Sequence, residues 1–206
     1  MNTKSPRFRP IHFSTPEVRA LLDGLKTQTR RVVKPQPTYV VPGVGTPCFI
    51  PEGKTGKEIR CPYNAPGDRL WVREAWAHDA LSLADCRARR EDAMHAARDI
   101  LGHGPYYRAD PVHEGSGLRW VSPLFMPRWA SRITLEITDV RVRLLNDISD
   151  DDARAEGVSE GRVIGSAGSA STRGPVGEYV RLWDSTNSAT PWTSNPWVWV
   201  LSFKRV

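Results

Sequence analysis

Residues 132–157 read RITLEITDVRVRLLNDISDDDARAEG, and this stretch decides the fold. Ile133, Leu135 and Ile137 alternate with Thr134, Glu136 and Thr138, the period-two pattern of a half-buried strand. Val140, Val142 and Leu144 resume the alternation one position out of step, so the pattern predicts a bulge near Asp139. Ser149 then has the chemistry of a helix N-cap, and Asp150, Asp151 and Asp152 place negative charge where a helix dipole is positive. Gly157 stops that helix. A long strand followed directly by a short capped helix points to a mixed α and β architecture.

Working outward, Pro66-Gly67-Asp68 makes a turn into Arg69–Trp76, where apolar and charged residues alternate as in a second strand. Trp197–Phe203 is a third, and Tyr179–Trp183 suggests a helix before it. Near the N-terminus, Ser14 or Thr15 can cap a helix with Pro16 in its first turn and Glu17 complementing the dipole. Val18, Leu21 and Leu22 give that helix one apolar face, and Gly24 ends it. Thr27–Val33 then reads as a strand, with Lys26, Gln28 and Arg30 on one face and Thr27, Thr29 and Arg31 on the other. A local twist or bulge is required for Lys26 and Thr29 to meet.

Between these elements, residues 35–66 are rich in Pro and Gly, 81–101 suit an exposed helix, and 161–174 form a Gly/Ser/Ala-rich loop. Residues 102–121 read as loop with a short strand at Tyr106–Arg108. The expected fold class is α+β: a small β-barrel with flanking helices and long loop insertions. At 206 residues the chain is expected to form one domain.

The net charge of +6 sits entirely in residues 1–40, which carry eight Lys or Arg and only Glu17 and Asp23 as acids. Such a concentration fits an anionic partner, RNA or a nucleotide, with DNA possible; it fits a merely solubilising surface about equally well. No apolar run reaches the roughly 20 residues of a membrane helix, so no membrane partner is expected. The first residues lack the apolar core of a signal peptide, which points to a cytoplasmic setting. Three cysteines at irregular spacing argue against a disulfide framework. The histidines and cysteines show no zinc spacing and no phosphate-loop motif is present, so no metal or cofactor is expected.

Lys26 and Thr29 are the first candidates for chemistry. A threonine hydroxyl beside a lysine that accepts its proton is a competent nucleophile for acyl transfer. On residue types alone, a basic strand that grips phosphate without catalysis is the favoured reading. Glu156 is a carboxylate able to orient a lysine, although the sequence alone heavily favours an ordinary solvated helix residue. Glu74 would face a barrel interior or rim. The eight tryptophans are better read as packing than as base-stacking platforms.

Together these segments resemble the ASCH domains of the PUA-like superfamily. Gly24-Leu25-Lys26-Thr27-Gln28-Thr29-Arg30-Arg31 after a helix is similar to the family's opening signature. Pro66–Val72 is similar to its Gly-Asp turn and barrel strand, Leu135–Gly157 to its strand-then-helix segment, and Trp197–Phe203 to its closing strand. Phe125-Met126-Pro127-Arg128-Trp129-Ala130 is similar to ASCH-like proteins encoded by bacteriophages and prophages. The resemblance spans the chain as a single domain, residues 1–206, with insertions at 35–65, 78–122 and 158–176. It implies a PUA-like barrel whose cleft binds a nucleoside, nucleotide or RNA. One branch of the family hydrolyses the acetyl amide of N4-acetylcytidine, which implies catalytic roles for Lys26, Thr29 and Glu156. Thr27, Arg30, Arg31 and Glu74 are then the expected substrate-binding residues.

Overall fold

The computed structural model describes residues 5–37, 59–78, 105–158 and 174–206, together with the backbone pairing of Tyr39–Val41 and Cys48–Ile50. The expected helix at 81–101 and the loop at 161–174 lie outside the described residues, as does most of the three expected insertions. The strands are β1 (Phe8–His12), β2 (Gln28–Val32), β3 (Tyr39–Val41), β4 (Cys48–Ile50), β5 (Arg69–Arg73), β6 (Trp76–Ala77), β7 (Tyr106–Tyr107), β8 (Thr134–Leu144) and β9 (Trp197–Arg205). The helices are α1 (Thr15–Leu22), α2 (Asp150–Ala155) and α3 (Pro175–Thr186).

Five strands form one sheet in the order β1-β5-β8-β9-β2. β1 pairs with β5 in parallel, and every other neighbour is antiparallel. The alternation of β8 breaks where expected: its register against β9 shifts between Ile137 and Asp139, leaving Thr138 as the extra residue of a bulge. This bulge lets both halves of an eleven-residue strand keep their apolar side chains on the core. Two short antiparallel pairs, β3–β4 and β6–β7, stand apart from the sheet.

One sheet face packs against α1. Leu70, Val72, Leu135, Ile137, Leu201 and Phe203 meet Phe13, Val18 and Leu21 there, all nearly solvent-free. Burying each such side chain contributes about 1.5–3 kcal/mol. The other face of β9 presents Val198 and Val200 to Ala153, Tyr179 and Trp183 of α2 and α3. β9 is therefore buried on both faces, which explains its nearly unbroken apolar run Trp197–Leu201.

The α+β class is as expected, but the described residues form an open sheet and no ladder joins its edges β1 and β2. β1 ends against β5, with Phe13 N–H donating to the Arg73 carbonyl at 3.1 Å. The free edge of β2 is occupied at its start by α2: Thr27 N–H donates to the Ala155 carbonyl at 2.8 Å, and Lys26 and Glu156 form an isolated bridge. The edges meet through a side chain, where Arg31 Nη2 donates to the His12 carbonyl at 2.9 Å. The run expected as one strand over Arg69–Trp76 is divided at Glu74 and Ala75, because Trp76–Ala77 leave the sheet to pair with Tyr106–Tyr107. Among the described residues, no helix is long and apolar enough to cross a membrane.

Candidate functional site

The chain Ser14–Arg31 runs from the start of α1 to the middle of β2, and its local chemistry fixes most of the site. Glu17 accepts from Ser14 N–H at 2.8 Å and from Ser14 Oγ at 2.7 Å, completing a capping box. Its other oxygen lies 3.6 Å from Lys26 Nζ. Gly24, at φ +74°, reverses the chain so that β2 can begin within a few residues of the helix. Lys26 precedes β2 proper and reaches back between α1 and α2.

Lys26 is 3% exposed and Glu156 is 4% exposed, so their contact is buried. Lys26 Nζ donates to Glu156 Oε2 at 2.9 Å and to the Glu156 carbonyl at 2.8 Å. Arg30 donates from Nη1 to Gln28 Oε1 at 2.6 Å and to Glu156 Oε1 at 3.2 Å, and from Nη2 to Asp152 Oδ2 at 2.9 Å. Gln28 Nε2 donates to Asp152 Oδ1 at 3.1 Å. The Arg31 guanidinium stacks 5.2 Å from the Phe13 ring centroid, and that of Arg30 lies 5.8 Å from the Tyr179 ring. Three cations and three carboxylates thus balance within one cluster: Lys26, Arg30 and Arg31 against Glu17, Asp152 and Glu156. Buried charges persist only when paired and hydrogen-bonded in this way.

Beside this cluster lies a cavity of about 310 Å³, within the size range of small-molecule sites. Thr29, Arg30, Arg31 and Glu156 line it, together with Glu17 and Tyr179. Thr29 is 2% exposed. The Nε groups of Arg30 and Arg31 are buried without a hydrogen-bond partner. Lys26 is not on the cavity wall; it stands behind Glu156, which is.

Burial raises the Glu17 carboxyl, but the Lys26 and Arg31 charges and the Ser14 hydrogen bonds outweigh it and leave Glu17 below the usual carboxylate range. Asp152 is likewise raised by burial and lowered further by Gln28 and Arg30, with a net downward shift. Burial holds the Tyr179 phenol well above its usual value, so it is a neutral hydroxyl at the cavity wall. Burial and then the Arg31 charge depress His12, whose ring also lines the cavity. Cys61 is buried in the core and its thiol is pushed up to about 11, which makes it unreactive.

Of the residues singled out in the sequence, Lys26, Thr29, Arg30, Arg31 and Glu156 come together here. Thr27 does not join them: its side chain is exposed, and its backbone links α2 to β9 by accepting from Phe203 N–H at 2.9 Å. Glu74 is also elsewhere. It is 1% exposed and accepts a two-pronged contact from Arg132 at 2.9 and 3.0 Å, while Arg132 reaches Asp110 at 2.7 Å. Burial outweighs that pairing and leaves the Glu74 carboxyl raised.

Arg30 differs from the reading that it grips a free anion, because its guanidinium is committed to Glu156, Asp152 and Gln28. Asp152 differs from Asp150 and Asp151, which are plain helix-start charges, because its carboxylate is turned onto β2. Glu17, Gln28, Asp152 and Tyr179 are site residues that sequence reasoning missed as such. For Asp152 the signal was its spacing: it lies four residues before Glu156, on the same helix face. Among the described residues, no group of three or more His, Cys, Asp or Glu is placed to hold a metal ion.

Compared with known proteins, the chain matches no family model, no curated protein and no solved structure.

Proposed function

We propose that this chain is an ASCH-like domain of the PUA-like class whose cavity binds a modified nucleobase and hydrolyses its N-acyl amide. The observation that carries the reading is Glu156, which shares the cavity wall with the buried Thr29 and holds Lys26 at 2.9 Å. The signature Gly24–Arg31 and the Leu135–Gly157 segment, far apart in sequence, supply these groups. The charge balance of the cluster suits an uncharged heterocycle better than a phosphate, since Lys26 and Arg30 are already neutralised.

In this reading Thr29 Oγ1 attacks the acyl carbon. An ammonium is not a base, so Lys26 relays the proton: it passes one to Glu156 Oε2 as it takes the one from Thr29. That proton reaches the exocyclic nitrogen as the C–N bond breaks, and the base leaves with a free amino group. Negative charge on the acyl oxygen falls to the arginine donors. Water then cleaves the Thr29 ester, releasing the carboxylic acid and restoring the hydroxyl.

The second reading, a non-catalytic nucleic-acid or nucleoside binder, is favoured by one observation: Lys26 Nζ already faces three oxygens, as a purely structural charge does. The two are separated with N4-acetylcytidine. The enzymatic reading expects release of acetate and cytidine, lost in Thr29→Val while binding by thermal shift persists. Binding without turnover across a panel of N-acylated nucleosides leaves the second reading in place and ends the first.

A further inference from the structure

α3 forms one wall of the cavity and has no part in the chemistry described above. Tyr179, Leu182, Trp183 and Thr186 line the cavity from this helix, at the three- and four-residue spacing of a single face. Tyr179 is 3% exposed, and its ring is fixed by its neighbours. The Trp183 ring lies 6.2 Å from it between centroids, and the Trp192 ring stands edge-on at 6.4 Å. Both neighbours are themselves anchored: Trp183 Nε1 donates to the Thr190 carbonyl at 2.8 Å, and Trp192 N–H donates to Asp184 Oδ1 at 2.7 Å. The Arg30 guanidinium, 5.8 Å from the ring centroid, completes the setting.

Among the described residues, the hydroxyls on the cavity wall belong to Ser14, Thr29, Tyr179 and Thr186. Ser14 Oγ donates to Glu17 at 2.7 Å, and Thr186 Oγ1 donates to the Leu182 carbonyl at 2.9 Å. The hydroxyls of Thr29 and Tyr179 have no hydrogen-bond partner among the described residues. Neither oxygen is sealed off as the Nε groups of Arg30 and Arg31 are. A tyrosine buried to this extent ordinarily finds a partner for its O–H. The charges that act on the Tyr179 oxygen are, in order, Glu156, Arg30, Arg31 and Glu17, all four on the cavity wall. The hydroxyl is therefore turned toward the cavity and away from the apolar cluster around Val198 and Val200.

With Thr29 as the nucleophile, Tyr179 is left as the uncommitted hydroxyl donor on the wall. We infer that Tyr179 is a further catalytic residue, whose O–H donates to the acyl oxygen of the bound amide and holds that oxygen as it becomes an oxyanion. The inference rests on the reading of the cavity as an N-acyl hydrolase site. As the bond from Thr29 Oγ1 to the acyl carbon forms, the carbonyl electron pair moves onto the acyl oxygen, and the Tyr179 hydrogen bond strengthens with the charge. When the carbonyl re-forms, the exocyclic nitrogen leaves with the C–N bonding pair and takes the proton relayed through Lys26 and Glu156. Tyr179 keeps its own proton throughout, which suits a phenol that burial holds neutral. A second oxyanion forms when water attacks the Thr29 ester, so the same donor serves both halves of the reaction.

The test is steady-state hydrolysis of N4-acetylcytidine by the full chain and by Tyr179→Phe, which keeps the ring against Trp183, Trp192 and Arg30 and removes only the oxygen. The variant is expected to lose about 100-fold in kcat, with KM changed by less than about twofold. With the N4-thioacetyl analogue, whose sulfur is a weak acceptor, the gap between the two proteins is expected to shrink to about tenfold or less. The urea midpoint is expected to be unchanged, because the substitution removes no hydrogen bond within the protein. Equal kcat in the two proteins overturns the assignment and leaves the hydrolase reading standing. An equal loss on the oxygen and sulfur substrates, or a large fall in urea midpoint, also overturns it, since Tyr179 then acts through the fold. A wild type that does not turn over N4-acetylcytidine or its thioacetyl analogue defeats the hydrolase reading and this assignment with it.

Discussion

Lys26 Nζ lies 2.9 Å from Glu156 Oε2, joining residues 130 positions apart in the chain. The contact closes the end of α2 over the start of β2, and Arg30 reaches the other carboxylate oxygen at 3.2 Å. One buried carboxylate thus bridges two cations, with Glu17 and Asp152 supplying the further negative charge. Glu156→Gln keeps the shape and removes the charge, and is expected to cost about 3–5 kcal/mol in urea unfolding. Lys26→Met leaves Glu156 its arginine partner and is expected to cost less, about 2 kcal/mol. The double variant should be more stable than the sum of the singles predicts, by about 1–3 kcal/mol. Strict additivity would show that the two side chains are not an energetic unit.

Gly157 follows Glu156 at φ +87°, and a Cβ added there would lie 2.9 Å from Ala20 Cβ and 3.1 Å from Lys26 Cβ. Neither neighbour is the far end of a flexible chain, so α1, α2 and the Lys26 backbone must separate to admit it. Gly157→Ala is expected to destabilise by about 3 kcal/mol, combining left-handed backbone strain with overpacking. Gly24→Ala is the control. Its φ is +74° but nothing lies within 4 Å of the added carbon, so only the strain of about 1 kcal/mol is expected. Equal losses in the two urea melts would remove the argument that Gly157 permits a close approach.

Local chemistry was legible in the sequence. The phase slip near Asp139 is a real bulge, Ser149 caps α2 by accepting from Asp152 N–H, and Gly24 and Gly157 both end helices in the left-handed region. What escaped were partnerships across the fold. Glu17 has a sufficient local reason to exist as the capping-box acid, and nothing local announces that its other oxygen faces Lys26. Asp152 sits in a run of three aspartates, and only tertiary packing decides which of them turns onto Arg30. Strand alternation puts Glu74 at a barrel interior or rim, but does not show that Arg132, some sixty residues away, draws it into a separate buried cluster. Strand alternation also set Lys26 apart from Thr29, and in the fold Lys26 stays off the cavity wall that Thr29 and Glu156 line.

The acid response of the fold follows from Glu17 and Asp152. Both carboxyls stand below their ordinary values of 4.5 and 3.8, because the hydrogen bonds and charges around them outweigh burial. A carboxyl lowered in the folded state binds fewer protons there than in the unfolded chain, so stability rises with pH through this window. Both contributions are therefore fully present above the ordinary values and are lost as pH falls through the lower folded-state ones. Glu74 acts with opposite sign: its folded-state value is raised, so acid favours the native state at that position. Urea midpoints measured from neutral pH down into the acid range are expected to fall below the ordinary carboxylate values. Asp152→Asn lowers stability at neutral pH and flattens that acid decline, because the unfolded chain no longer takes up the extra proton. Glu74→Gln steepens the decline by removing the opposing group. An Asp152→Asn profile that runs parallel to the wild type would mean that the Asp152–Arg30 contact at 2.9 Å contributes nothing to acid sensitivity.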